Sequence, residues 1–332
     1  VPRIAVPALL AAAVLVAGGG VPEARGQQKQ IRIATLAPRS CTLGKELKRL
    51  DKALRKQSGG GVKLRVYPSG VAGDEKDAIQ KIREGQMEGA VLTAAGLSRI
   101  VPEIGVIDTP GIITSHQQLE AVLAKLGPEW EKKLLAKGFA TVAWSEGGRY
   151  RIFSNKPVAG PEDLKNARTW LWAASVPLKE LWQAVGARPK ALGAPGVYGE
   201  LQAGKLDALV ATALTARTMQ WHGKLDHVTG QTFGTLVGAL VMERKAWAGL
   251  PEAAREVIKR AVAGSALNDR SGMRRADDKA FQELLEQDYK VTAETPESRR
   301  QWNQVLQLVR KQLAGAAFPA SLLARIEGMA AR

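Results

Sequence analysis

The residues of this chain best suited to recognising a molecule are indoles rather than nucleophiles. Residues 167–175 read Ala-Arg-Thr-Trp-Leu-Trp-Ala-Ala-Ser, and the core of that stretch, Thr169-Trp170-Leu171-Trp172, has the composition of a short strand. Side chains alternate along a strand, so Trp170 and Trp172 are predicted to share one face while Leu171 takes the other. Two large aromatics at a strand's carboxyl end suit the wall of a ligand cleft in an α/β fold. The plainer alternative is that both indoles fill core. Ser175 closes the stretch and joins the candidate site. Further on, Gln220-Trp221-His222 sets an indole beside an imidazole. His222 either lines the same cleft with Trp221 or caps a helix end. Tyr150 stands between Arg149 and Arg151, whose side chains fall on one face, either as solvated charges or as positive charge for the cleft. Thr93 and Gly96 follow an apolar strand, where backbone can approach a ligand closely.

Enzyme chemistry needs a nucleophile with a base in reach, a metal, or paired carboxylates in a pocket. No Gly-x-Ser-x-Gly elbow or phosphate loop occurs, and Gly193-Ala-Pro-Gly196 is a loop rather than a dinucleotide fingerprint. Of the three histidines, His116 is remote in sequence, and His222 and His227 are five apart, off a common helical face. The chain therefore reads as a binder, with no metal, no cofactor and no catalytic residue expected; an exported hydrolase is the enzymatic alternative.

The elements that must position these residues come from a chain of 332 residues, 45% hydrophobic, with room for two lobes. Its beginning differs in kind. Arg3 precedes an apolar run over residues 4–17, and Ala24 and Gly26 have the small-residue spacing that a signal peptidase reads. Residues 1–26 are thus expected to be a cleaved signal peptide, giving an exported, periplasmic chain that is not membrane-embedded. Cys41 is the single cysteine, so neither an intrachain disulfide nor a cysteine metal cluster can form. Loss of residues 1–26 takes the net charge from +16 to +15. The basic residues are interspersed with acids, as in Lys45-Glu46-Leu-Lys48-Arg49, and no basic run alternates with aromatics. Nucleic acid is therefore not expected as a partner; attraction to an anionic membrane surface is the better use of the charge.

In order, residues 31–35 alternate as a strand, and Leu43, Leu47, Leu50 and Leu54 recur at helical spacing up to Gly59-Gly-Gly61. A strand over 62–67, a helix over 74–84 and a continuous apolar strand over 89–93 complete a doubly wound lobe. Helices over 117–126 and 128–136 follow, then extended segments over 139–144 and 151–154. A second lobe repeats the plan: the Trp-Leu-Trp strand, helix 176–185, strand 190–192, helix 197–203, strand 208–210 and helix 214–221. Residues 235–242 read as a strand returning to the first lobe. Helical pattern then runs from Pro251 to about 285, with Gly264 and Gly272 as possible bends. Two more helices close the chain, one carrying the stripe Trp302, Val305, Leu306, Val309 and Leu313 and one after Pro319.

The sequence resembles the solute-binding proteins of TRAP transporters, a family of dicarboxylate and sialic acid receptors, over nearly the whole mature chain. The motifs that carry the resemblance are Ile33-Ala-Thr-Leu-Ala-Pro38, Gly73-Asp-Glu-Lys76, Ile82-Arg-Glu-Gly-Gln86, Ser154-Asn-Lys-Pro157, Pro161-Glu-Asp-Leu-Lys165, Leu201-Gln-Ala-Gly204 with Asp207, and Leu250-Pro-Glu252. It implies an α/β, two-lobed periplasmic binding protein fold with a cleft between the lobes and a long bridging C-terminal helix. Lobe 1 is then 27–148 plus about 234–270, and lobe 2 is 149–233 plus about 271–332. It also implies a small-molecule ligand and the membrane subunits of a TRAP transporter as partners. The family's ligand-clamping arginine falls at Trp170, and its frequent ligand-binding asparagine falls at Ala211. That departure points to a ligand with apolar or aromatic character. A periplasmic lipid or hydrophobic carrier outside any transporter would share the same cleft.

Overall fold

Alternation in Lys29–Ala34 forms strand β1, the first element of a computed structural model that describes residues 29–172, 175–263, 265 and 270–330. The expected signal peptide lies outside these residues, as do Ala173, Ala174 and Gly264. Helix α1 (Thr42–Gln57) buries Leu47, Leu50 and Leu54, each contributing about 1.5–3 kcal/mol. Its cap is Cys41, whose Sγ accepts from the Gly44 N–H at 3.4 Å. β2 (Val62–Tyr67), α2 (Glu75–Arg83), β3 (Gly89–Thr93) and α3 (Ala94–Ser98) complete the first winding. β1 pairs in parallel with both β2 and β3, as strand–helix–strand connections require.

The next helix, α4 (His116–Ala136), is continuous where two separate helices are predicted. Pro128 sits inside it, and the buried side chains of Leu126, Trp130 and Leu134 offset the one hydrogen bond a proline removes. β4 (Phe139–Arg149) runs five residues beyond the predicted segment, then β5 (Arg151–Ser154) follows. The second winding comprises β6 (Arg168–Leu171), α5 (Val176–Ala184), β7 (Arg188–Ala191), α6 (Val197–Gln202), β8 (Ala208–Ala211) and α7 (Ala213–Thr218). Helix α7 stops short of Trp221. Gln220 turns left-handed at φ 60°, and Trp221 opens a separate 3-10 turn, Trp221–Lys224. β9 (His227–Thr229) and β10 (Thr235–Glu243) come next. The remainder is α8 (Arg244–Ala248), α9 (Glu252–Ala263), α10 (Arg270–Leu285), β11 (Lys290–Thr292), α11 (Pro296–Leu313) and α12 (Ala320–Ala330).

Two sheets result, ordered β2-β1-β3-β10-β4 and β11-β9-β5-β8-β6-β7. β10 joins the first sheet antiparallel to β3 and β4, as an apolar strand returning to the first lobe should. The chain crosses between sheets at Tyr150 and again before Gly234. The two crossings are bonded to each other, Tyr150 N–H to Gly234 O at 2.9 Å and Phe233 N–H to Tyr150 O at 2.8 Å. Helix α10 spans the junction. Its buried Asp277 accepts from the Arg149 N–H of β4 at 2.9 Å and the Leu214 N–H of α7 at 2.8 Å. Gly148, at φ 104°, makes room for it, since an added Cβ there would lie 2.2 Å from the Asp277 carboxyl carbon. Helix α11 then packs on α5, and α12 packs on α4.

Candidate functional site

A cavity of about 200 Å³ lies where the carboxyl ends of parallel strands from both sheets face each other. Thr35 and Leu36 follow β1 and Thr93 ends β3; from the other sheet come Trp170 of β6, Trp172 just after it, and Ala211 and Thr212 at the end of β8. Such edges are where open α/β sheets collect ligands, because the loops there diverge and leave a crevice.

One wall is aromatic. The Trp170 and Trp172 rings stack with centroids 5.7 Å apart and planes 26° apart, and Trp221 meets Trp170 edge-on at 5.0 Å. Trp170 is 3% exposed, and its N–H donates to Leu192 O at 3.0 Å. The Trp170 indole packs in the core of the second sheet and also lines the cavity. The N–H of Trp172 donates to Asp74 Oδ2 at 3.2 Å, which ties the second sheet to the cap of α2 on the first.

The facing wall carries acids. Glu75 is buried at the start of α2, where Oε1 accepts from the Thr93 N–H at 2.6 Å and Oε2 from the Thr93 hydroxyl at 2.9 Å. Burial pushes its carboxyl up to about 8 against the opposing Thr93 bonds, with the Asp74 and Asp108 charges adding to the rise. Asp108 is bonded to the phenol of Tyr150, yet burial still pushes it up to about 7. Its Oδ1 is shut off from solvent without a hydrogen-bond partner. Burial also lifts the Tyr150 phenol and the Cys41 thiol, so neither ionises at neutral pH. Glu46 and Glu146 complete the acidic lining; Glu146 is ion-paired to Arg274 at 2.8 Å, and His116 Nδ1 lies 2.8 Å from its Oε1, an imidazole whose pKa burial and the Arg274 charge lower. Among the described residues, no lysine, arginine or histidine lines the cavity.

Of the candidate residues read from the sequence, Trp170, Trp172, Ser175, Thr93, Tyr150, Ala211 and Trp221 line this cavity; Gly96 and His222 do not. Gly96 instead lies under Glu75, where an added Cβ would fall 2.4 Å from Oε2. The His222 ring is held by its Nδ1 at 3.2 Å from Ala216 O, the helix-end role rather than the cleft role. Arg149 and Arg151 are also outside the lining. The Arg151 guanidinium bonds Thr229 O at 3.1 Å and also Gly230 O, and lies 4.0 Å over the Phe281 ring. Asp108 and Glu75 line the cavity without standing among the candidates that the sequence offers. The signal for Asp108 was a lone acid within the apolar run 104–113, and for Glu75 its place in Gly73-Asp-Glu-Lys76.

The profile of bacterial extracellular solute-binding protein, family 7 (DctP), matches residues 33–315, and the chain belongs to that family. It is similar to the C4-dicarboxylate-binding periplasmic protein DctP of Rhodobacter capsulatus, 25% identical over 277 residues and covering 82% of each chain. The DctP protein of Vibrio cholerae is 21% identical over 261 residues, 78% of each chain. Among solved structures, the sugar acid binding protein DctPAm of Advenella mimigardefordensis, in complex with galactonate, superposes with a TM-score of 0.85 at 19% identity, over 92% of this chain and 99% of that one. A TRAP periplasmic solute-binding protein of Shewanella oneidensis with bound succinate gives 0.85 at 18% identity, over 91% and 99%. The chain is thus a solute-binding protein of two-sheet α/β architecture, not an enzyme. No helix among the described residues is long and apolar enough to cross a membrane.

Proposed function

We propose that this protein is the extracytoplasmic receptor of a TRAP-type transporter, and that it captures a small ligand of apolar or aromatic character between two lobes. Family membership supports the receptor role. The observation that carries the ligand class is that, among the described residues, no cationic side chain lines the cavity; the family resemblance sets Trp170 in place of its arginine. A carboxylate ligand there would be desolvated without a counter-charge, at a cost of roughly several kcal/mol. An apolar ring would instead gain roughly 25 cal/mol per Å² of apolar surface buried.

The lobes in this reading are 27–148 with about 234–270, and 149–233 with about 271–332. The membership of β10 in the first sheet and of β5, β9 and β11 in the second supports that division, while α12 goes with the first lobe, since it packs on α4. Export with cleavage before Gln27 belongs to the same proposal. Intact mass of the secreted protein tests it, and retention of residues 1–26 would overturn it. For the ligand class, calorimetric titration with succinate, malate and an aromatic acid is the test. Weak or absent succinate binding is expected; tight succinate binding by the unmutated protein would refute the apolar cleft.

A further inference from the structure

Helix α1 carries charge of one sign over its whole outer face. Of Thr42–Gln57, the exposed residues are Lys45, Lys48, Arg49, Lys52, Arg55 and Lys56, with Gln57 at the end. At about 3.6 residues per turn these cations fall within an arc of about 120° and extend about 17 Å along the axis. The helix holds two acids, Glu46, which is buried, and Asp51, which is half-buried. Glu46 pairs with Arg49, and Asp51 pairs with Arg55 at 2.8 Å. Among the described residues, the four lysines make no ion pair. The other long helices differ: α4, α9, α10, α11 and α12 each expose at least one acid, Glu129, Glu252, Asp278, Glu297 and Glu327. Nor does the charge serve the helix itself. Its first turn has no acid, and Lys45–Arg49, Lys48–Lys52 and Lys52–Lys56 are like-charged neighbours four apart, which disfavour a helix.

We propose that this face of α1 is a docking surface for a bilayer rich in anionic phospholipid, bound peripherally through the headgroup phosphates. Protein interfaces are depleted in lysine and have apolar, aromatic cores. Here four of the six cations are lysines, and the helix exposes no apolar side chain. Lysine ammonium groups on flexible stems suit a diffuse anionic surface, where no fixed fork geometry has to be matched. Each such charge is worth about fivefold in affinity close to the surface. The contact is electrostatic, so salt should reverse it. Neighbouring charge extends the face: Arg260 of α9, which packs on α1, reaches Gln57 at 3.3 Å. The face also has a defined place relative to the cavity. Thr42 and Leu43 line the cavity, so the cations begin within one helical turn of it. Helix α1 packs on β2 and α9, and docking through it therefore engages the side of the first sheet and needs nothing from the second. The inference is independent of which ligand the cavity takes.

Sedimentation of the secreted protein with lipid vesicles tests this. Binding is expected to vesicles of phosphatidylglycerol and phosphatidylcholine in equal parts at about 50 mM salt, with release at about 0.5 M. No binding is expected to phosphatidylcholine alone. Lys45→Gln, Lys48→Gln, Lys52→Gln and Lys56→Gln together should weaken binding at least about twentyfold. They should not lower the urea unfolding midpoint, since none of the four makes an ion pair among the described residues. The same four changed to Arg keep the charge and should keep the binding. A control variant, Lys132→Gln, Lys137→Gln, Lys156→Gln and Lys205→Gln, removes as much charge from exposed positions off α1 and should weaken binding less than about threefold. An equal loss in the control would reduce the effect to overall net charge and overturn the assignment. So would absence of binding to the anionic vesicles. Polyglutamate bound through α1 while the vesicles are not would overturn it in favour of an acidic protein partner.

Discussion

Asp277 and Asp108 are both buried aspartates near the junction of the two sheets, and they differ in what their oxygens meet. Asp277 on α10 has both oxygens filled by backbone N–H groups, one from β4 and one from α7. Asp108 has the Tyr150 phenol on one side and nothing at Oδ1. Burial raises the pKa of both, and in Asp277 the two N–H bonds oppose the rise. The satisfied carboxylate is a structural pin that holds the crossing strand against the second sheet. The unsatisfied one belongs to a residue of the cavity lining, and its Oδ1 is buried without a partner. Burial alone therefore does not separate joint from site; the partner count does.

The most severe way to break this contrast is at the pin. Asp277→Ala should leave two N–H groups without acceptors, costing about 2–6 kcal/mol at about 1–3 kcal/mol each. Urea unfolding measures this, and a loss below about 1 kcal/mol would show that the pin does not matter. Asp108→Asn should cost far less, since only one bond depends on it.

A second effect follows from Glu75. Its native carboxyl is lifted from 4.5 to about 8, so the folded state keeps a proton that the unfolded chain has released. Its contribution is fully present below about pH 4.5 and is lost as pH rises through about 8, so native stability falls across that window. Glu75→Gln cannot ionise and should remove the part of the decline due to Glu75, leaving the part due to Asp108, whose carboxyl is lifted to about 7. Unfolding free energies at several pH values decide this, and parallel curves for the two proteins would contradict the burial argument. On the aromatic wall, Trp170→Ala should weaken binding of an aromatic ligand by more than about 1 kcal/mol, the scale of one lost aromatic contact. Unchanged calorimetric affinity would make Trp170 core alone.

Both windings could be read from the sequence because periodicity and burial agree there. Leu47, Leu50 and Leu54 mark α1, and the unbroken apolar run of β3 marks a strand flanked on both sides in its sheet. Three-residue strands such as His227–Thr229 and Lys290–Thr292 carry no such pattern, because their pairing is set by neighbours distant in sequence. Pro128 read as a break because local chemistry says so, and the tertiary packing of Leu126, Trp130 and Leu134 overrides it. The aromatic wall was legible, since bulky side chains at a strand end announce themselves. The acidic wall was not. Glu75 and Asp108 lie 33 positions apart on different elements, and only folding puts them around one cavity. His222 was misleading for the same reason, as its neighbour Trp221 turns inward while its own ring bonds Ala216 O.

The smallest expected effect tests whether positive charge reaches the cavity from elsewhere. Arg151 is the strongest candidate for a substitute clamp, being half-buried on β5 one residue from the cavity-lining Tyr150. Its guanidinium is already committed, bonding the Thr229 and Gly230 carbonyls and stacking on Phe281. Burial lowers its pKa, partly offset by the Asp277 charge. To clamp a ligand carboxylate it would have to give up both carbonyls and the ring. Arg151→Lys retains the charge but loses the planar fork that reaches two acceptors at once. It should lower stability modestly while changing the affinity for an aromatic ligand by less than about 0.5 kcal/mol, the range of substitutions that touch no ligand. Arg149→Ala should change affinity as little. Calorimetry on both variants measures this against the unmutated protein. A large affinity loss in Arg151→Lys, confined to acidic ligands, would mean that the ring-stacked guanidinium swings into the cavity and clamps a carboxylate there.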